Sequence, residues 1–395
     1  MNFHGFGGVG KLAFKSKKQL ALIFPILLVS LCFILVSIIE NKIDVLFLYL
    51  SIVIIYSVFL FNIKEFSNGS RFVGVIGVIY RFLPCLVISA TFSDDLLQYG
   101  YFGSKILSGQ IPYRDFSAPY PPLSLYITVP FVMAGDPRFL KALFSLCDVL
   151  IVFIVYKFFL QGTENANRIS MLLLLFPVSL VEYSISGHND SLTILLLIAS
   201  IALLNKNVAA SSILMAFSIL SKIFPIILVP FMLRQLYSNN KKSALLFLLM
   251  FTAVLFAVSF PFILLSWDGY ISMIIGTSRY SKPYGVLTSL LSLLANFAQS
   301  STMFFHLLAI ILLIEFGALI FVISSRRKWS LMKTCGICLL ILPFLLPQFH
   351  PWYLLWAFPF LITSYSNSLK SIRGYTLLFL AFHVLYYLIF SFNSF

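Results

Sequence analysis

Residues 93–122 read SDDLLQYGYFGSKILSGQIPYRDFSAPYPP, a polar stretch in a chain of which only 10% is charged. Asp94 and Asp95 follow directly on a long apolar run, so they emerge where a membrane span meets water. Ser93 is placed to cap a helix whose positions Leu96, Leu97, Gly100, Gly103, Ile106 and Leu107 keep helical spacing. Gly109 ends that helix, and Pro112 forbids its continuation. Two readings of the paired acids stand at this point. They favour the positive N-terminus of the helix, or they do chemistry at a membrane surface.

The rest of the chain sets the frame for that stretch. Hydrophobic residues make up 60% of the 395 and mean hydropathy is +1.00, with 43 phenylalanines. A soluble protein of this size cannot bury so much apolar side chain, and repeated runs near the length of a bilayer crossing predict a polytopic all-α membrane protein. The net charge of +14 brings no basic stripe with interleaved aromatics, so nucleic acid is not an expected partner. The lysines and arginines fall between apolar runs, where they orient spans.

Smaller motifs point away from other classes. Gly5 to Lys11, GFGGVGK, looks like a phosphate loop, but Leu12 stands where a magnesium-binding Ser or Thr belongs and no strand precedes it. Lys11, Lys15, Lys17 and Lys18 read as a cytoplasmic anchor for a first span that is retained, since no small-residue cleavage site is visible. Cys335 and Cys338 have the spacing of a redox or zinc pair but lie in an apolar run without partner ligands. They read as small packing residues on one helix face. No metal and no cofactor is expected, a divalent ion held between Asp94 and Asp95 being the lower-ranked alternative.

Apolar runs at about 19–39, 45–63, 72–92, 139–160, 169–185, 190–204, 208–221, 223–237, 243–265, 302–325, 331–347, 353–368 and 374–392 predict about thirteen spans. Leu123 to Ala134 is too short for an easy crossing. Laying it on the outer surface keeps Arg234, Lys241, Lys242, Arg326, Arg327 and Lys328 on the cytoplasmic side. The N-terminus is then cytoplasmic and the chain multi-pass, with plasma membrane the expected location. Glu40, Asp44, Asp94, Asp95, Asp115, Asp136, Glu182, Asp190 and Asp268 all fall outside, so the non-cytoplasmic face is where a site is expected.

Segments converge on that face. The loop 93–138 carries the paired acids, and Gly187-His188-Asn189-Asp190-Ser191 forms a polar turn that either joins two helices or binds sugar hydroxyls. Ser221-Lys222-Ile223-Phe224-Pro225 puts a lysine at an outer break, where snorkelling or a phosphate partner accounts for it. Gln348-Phe349-His350-Pro351-Trp352-Tyr353 suits an interfacial belt, and Trp267 to Tyr284 adds Arg279 and Lys282.

Asp95 with Tyr99 four residues on, Gly109, Pro112-Tyr113 and Tyr120-Pro121-Pro122-Leu123 resembles the first outer loop of GT-C glycosyltransferases. With the Gly-His-Asn-Asp turn, Lys-x-Phe-Pro and His-Pro-Trp-Tyr, the chain after about residue 70 resembles the polyprenol-phosphate-mannose-dependent mannosyltransferases of family 87. The resemblance implies a single domain over 1–395, with a GT-C-like core at 71–395, an extra helical hairpin at 1–70 and a first catalytic loop at 93–138 containing surface helices. It implies an inverting transfer of a hexose, mannose by family, from a polyprenyl-phosphate donor to a glycan, lipid or protein acceptor. Asp95, with Asp94 beside it, is the candidate general base. Lys222, His350, Arg279 and Lys282 are candidates for the donor phosphate. Tyr99, Tyr113, Arg114, Asp115, Tyr120, His188, Asn189 and Asp190 are candidates for sugar or acceptor. The spans would form a groove for the prenyl tail, and membrane lipids are the surrounding partner.

Rival classes remain at this level. Arg81, Asp148 and Glu315 fall inside spans, as pathway residues do in a transporter or lipid-linked sugar flippase. A structural ion pair between Arg81 and one of the acids is the alternative. A non-catalytic subunit of a glycan assembly machine would keep the fold and lose the base.

Overall fold

A computed structural model describes residues 42–62, 71–87, 94–136, 138–275, 302–346 and 349–393. The expected run at 19–39, the basic N-terminus, Ser93, Arg279 and Lys282 lie outside the described residues. Helices form wherever an apolar run was expected within the rest. They cover Lys42–Phe61, Arg71–Val87, Arg138–Val155, Ala166–Leu174, Asp190–Leu203, Val208–Ser221, Val229–Asn239, Lys241–Leu265, Thr302–Arg326, Leu331–Leu345, Phe358–Ser364 and Leu369–Asn393. Among the described residues, Arg138–Leu160, Ala166–Ile185 and Lys241–Leu265 are long and apolar enough to cross a membrane, so the count of about thirteen spans is not reached by length and composition alone. The expected surface helix over 123–134 is two short helices, Pro122–Tyr126 and Val129–Met133.

Polar side chains join the helices to one another. Ser200 and Ser211 each donate a hydroxyl to the other's carbonyl, at 2.7 and 2.8 Å, and Ser218 donates to the Thr193 carbonyl at 2.9 Å. Small hydroxyl residues of this kind let two apolar helices approach closely without hydrophobic drive. Asn207 caps Val208–Ser221 by accepting from the Ala210 amide at 3.0 Å, which closes the tight connection between the two helices. Cys335 and Cys338 are buried free thiols in the main core.

The region Ala166–Ile185 is broken, and the break explains a buried charge. Pro177 has no amide to offer the Leu173 carbonyl four residues earlier. Arg81 donates to that carbonyl at 2.8 Å and to Ser179 Oγ at 2.6 Å, and it pairs with Asp148 at 3.2 Å. Arg81 and Asp148 therefore form the structural ion pair, which accounts for two of the three charges that a transport reading relies on. Glu315 is exposed on the helix Thr302–Arg326.

Beyond Pro177 the backbone widens into a π-helical turn, Leu180–Ile185. Such turns are frequent at functional sites, and this one carries Glu182. The Ser186 amide bonds the Val181 carbonyl at 2.8 Å and the His188 amide bonds the Glu182 carbonyl at 2.9 Å. Gly187 then turns the chain with φ 75°. A Cβ there would sit 3.2 Å from Leu96, so the turn presses directly against the helix that carries Asp95.

Candidate active site

The first-loop helix is Asp94–Leu107, as its spacing predicts. Gly109 has φ 81°, with its amide on the Ile106 carbonyl at 2.9 Å and the Gln110 amide on the Lys105 carbonyl at 3.1 Å, a Schellman stop. The loop then folds on itself. Asp115 accepts from the Ile111 amide at 2.7 Å and pairs with Arg114 at 2.9 Å, and the Arg114 hydrogen bond holds its carboxyl below the usual range. Tyr113, at φ 68°, donates to the Tyr120 carbonyl at 2.6 Å, and its own carbonyl accepts from Ser266 at 2.6 Å. Arg114 and Asp115 thus fold the loop at its exposed rim, and Tyr113 is a buried strut between the loop and the helix Trp267–Ile275. Tyr99 is buried among aromatics, its ring 5.3 Å from Tyr120 and 6.1 Å from Phe144.

Asp95 sits at the meeting of loop and turn. Tyr120 donates its hydroxyl to Asp95 Oδ1 at 2.9 Å, and His188 Nδ1 lies 3.1 Å from Asp95 Oδ2. The other nitrogen of His188 lies 3.2 Å from Glu182 Oε2. Burial opposes a charge on His188, but the carboxylates of Asp95 and Glu182 outweigh it and hold its pKa up to about 10. His188 is thus an imidazolium at neutral pH, with carboxylate oxygens at both ends. Asp94 is the first residue of the same helix, and its side chain lies outside the described residues.

The rest of the turn binds the neighbouring elements. Asn189 donates to Ser124 Oγ at 2.8 Å, and Ser124 donates to the Ser221 carbonyl at 2.6 Å. Asp190, fully buried, pairs with Lys222 at 2.7 Å and accepts from the Trp356 indole at 2.6 Å. Trp356 stacks on Phe224 at 3.8 Å, and Trp352 lies between the rings of His188 and His350 at 4.4 and 4.3 Å. Asp95, Tyr120, His188, Asn189, Asp190, Lys222 and His350, expected from separate segments, are brought together. Arg114 and Asp115 are not.

An apolar cavity of about 900 Å³ adjoins this cluster. Tyr120, Lys222, Tyr353 and Trp356 line its polar part, and the remaining lining is aliphatic and aromatic, Ile227, Phe231, Ile314 and Phe321 among it. Lys222 also lies 5.7 Å from the centre of the Tyr353 ring. The arrangement places a carboxylate, a lysine ammonium and an apolar cavity close together.

The sequence places Glu182 only among the acids of the outer face and Trp352 only in an interfacial belt, and it marks no role for His383, Tyr49, Ser124 or Trp356. Its outer-face position and its place six residues before His188 are the signals the sequence carries for Glu182. Nothing local marks His383 or Tyr49, which reach the site from opposite ends of the chain.

The family model for glycosyltransferase family 87 matches residues 118–346, more than half of the chain. The chain belongs to glycosyltransferase family 87. A curated relative, GPI mannosyltransferase 1 of Dictyostelium discoideum, is 26% identical over 175 residues, 40% of this chain and 39% of that protein. The chain thus matches about two fifths of the relative's length. No solved structure matches.

Proposed function

We propose that this membrane protein is an inverting GT-C-type hexosyltransferase that moves mannose from a polyprenyl-phosphate donor to a glycan, lipid or protein acceptor on the non-cytoplasmic face. The observation that carries the reading is the position of Asp95. It stands one side chain, Tyr120, from the mouth of a long apolar cavity whose only lining cation among the described residues is Lys222. Such a cavity suits a prenyl chain, with the sugar phosphate held at the polar mouth.

Asp95 takes the proton of the acceptor hydroxyl as its oxygen bonds to the anomeric carbon, while the bond from that carbon to the phosphate oxygen breaks on the opposite face. Polyprenyl phosphate leaves with the electron pair. One base suffices because the phosphate is already a good leaving group. The ammonium of Lys222 keeps donors beyond the one facing Asp190, and with His350 it meets the charge that develops on the phosphate. Asn189 and Asp190 form the wall behind the sugar rather than its first contacts, since both are buried in bonds to Ser124 and Trp356. Residues 71–395 form the catalytic core in this reading, with 1–70 added to it.

The test is transfer by purified protein in lipid from a set of polyprenyl-phosphate hexoses and, separately, nucleotide sugars. Transfer from the mannosyl lipid alone, with inverted anomeric configuration in the product, is expected. Transfer only from nucleotide sugars would overturn the donor assignment. Lipid-linked sugar movement across the bilayer without transfer would return the flippase reading.

A further inference from the structure

The contacts of Asp95 do not stop at His188. Glu182, whose Oε2 faces His188, turns its Oε1 to His383 Nε2 at 2.6 Å, and the other nitrogen of His383 meets the Tyr49 hydroxyl. These side chains are all buried: Glu182 shows no exposure, His383 1% and Tyr49 4%. They come from the π-helical turn Leu180–Ile185, the helix Leu369–Asn393 and the helix Lys42–Phe61. The last two lie outside the residues matched by the family model.

We propose that Glu182, His383 and Tyr49 are positioning residues that hold His188 by its far nitrogen and so fix the carboxylate of Asp95 for the transfer. This rests on the function proposed above. The proton positions follow from the partners. An ionised carboxylate only accepts, so both nitrogens of His188 and Nε2 of His383 carry hydrogens. The remaining nitrogen of His383, Nδ1, meets the Tyr49 hydroxyl. A buried carboxylate without such partners would be too costly to keep, and a glutamine of the same shape would satisfy packing alone. The ionised form supplies the second anion that faces His188. With His188 charged and gripped at both ends, the orientation of the Asp95 carboxylate is set by His188 on Oδ2 and by Tyr120 on Oδ1.

The groups facing His188 are Asp95, Glu182, Lys141 and, across Trp352, His350. Lys141 Cγ lies 3.4 Å from where a Gly187 Cβ would be, and the Asp190–Lys222 pair comes next along the turn. Of these, Glu182 is the one that links His188 to the two outlying helices.

Glu182→Gln, His383→Gln and Tyr49→Phe are compared with the wild type in transfer from polyprenyl-phosphate-mannose. Glu182→Gln is expected to lower kcat by about tenfold or more with donor KM nearly unchanged. His383→Gln should cost less and Tyr49→Phe least. The alkaline limb of the wild-type rate should lie near pH 10, where His188 loses its proton. In Glu182→Gln it should move down by about 1–3 units, because removing an anion lowers the pKa of the histidine beside it. An unmoved limb, or a loss expressed only in KM, would overturn the proposal. A second measurement guards against a variant that does not fold and needs no turnover. The chain has 5 histidines, so ¹⁵N-histidine spectra with His188→Gln for assignment are tractable. A doubly protonated His188 at pH 8 in the wild type supports the relay, and a neutral one overturns it. Those spectra decide the relay even if no lipid-phosphate sugar supports transfer.

Discussion

At the scale of single residues, the site is a set of charges that share partners. Lys222 and Asp190 are both buried, and removing one leaves the other without its counter-charge. Lys222→Met is therefore expected to destabilise the protein by about 3–5 kcal/mol, with Asp190→Asn in the same chain recovering part of it. Thermal unfolding in detergent checks the first effect and the double variant checks the second. If Lys222 also serves the donor phosphate, transfer stays lost in the double variant although stability returns. His188 gives a pH signature. Its folded pKa is raised to about 10, so its contribution is fully present below its unfolded value near 6.5 and is lost as pH rises through about 10. The melting temperature of the wild type should fall over that window, and His188→Gln should flatten the fall.

At the scale of elements, the loop carrying Tyr120 is held to the rest by a close backbone contact. A Cβ on Gly269 would lie 2.2 Å from the Tyr113 carbonyl, with the Ser266 hydroxyl already bonded to that oxygen. Gly269→Ala is expected to cost about 1–3 kcal/mol by overpacking and to reduce transfer, because the strut that holds Tyr120 must shift. Unchanged melting and unchanged kcat would contradict this. The helices themselves were legible because apolar runs are punctuated by Pro and Gly. Gly109 and Pro112 close the first-loop helix as read. The π turn at Leu180–Ile185 was not legible, since it answers to Pro177 and to the pull of His188 and His383 on Glu182, which only the packed helices supply. His383 and Glu182 are 201 residues apart, and a lone histidine in an apolar helix carries no local sign of its partner.

At the scale of the whole molecule, polar residues in a mostly apolar chain had few places to go. That is why Asp95, His188, Lys222 and His350 were found together from segments read separately. Arg279 and Lys282, candidates in the same reading, fall outside the described residues. The cavity could not be read from sequence, because its walls are built from residues such as Ile227, Ile314 and Phe321 that look like ordinary span residues. Its role has a direct consequence. Ala318→Trp narrows the channel, and donor KM should rise about tenfold for long prenyl chains, roughly 1.4 kcal/mol. A donor with two isoprene units should be affected much less. Equal effects on long and short donors would remove the cavity from the account of donor binding.

In the function proposed above, the central assignment is Asp95 as the base of a sugar transfer from a lipid phosphate. It is tested most directly by comparing wild type, Asp95→Asn and Asp94→Asn in transfer from synthetic polyprenyl-phosphate-mannose, with melting temperature measured on each. Loss of about 10²–10⁴-fold in kcat for Asp95→Asn, with folding intact and Asp94→Asn largely active, is the predicted result. Wild-type rates in Asp95→Asn, or equal loss in both variants reversed by a divalent metal, would contradict it.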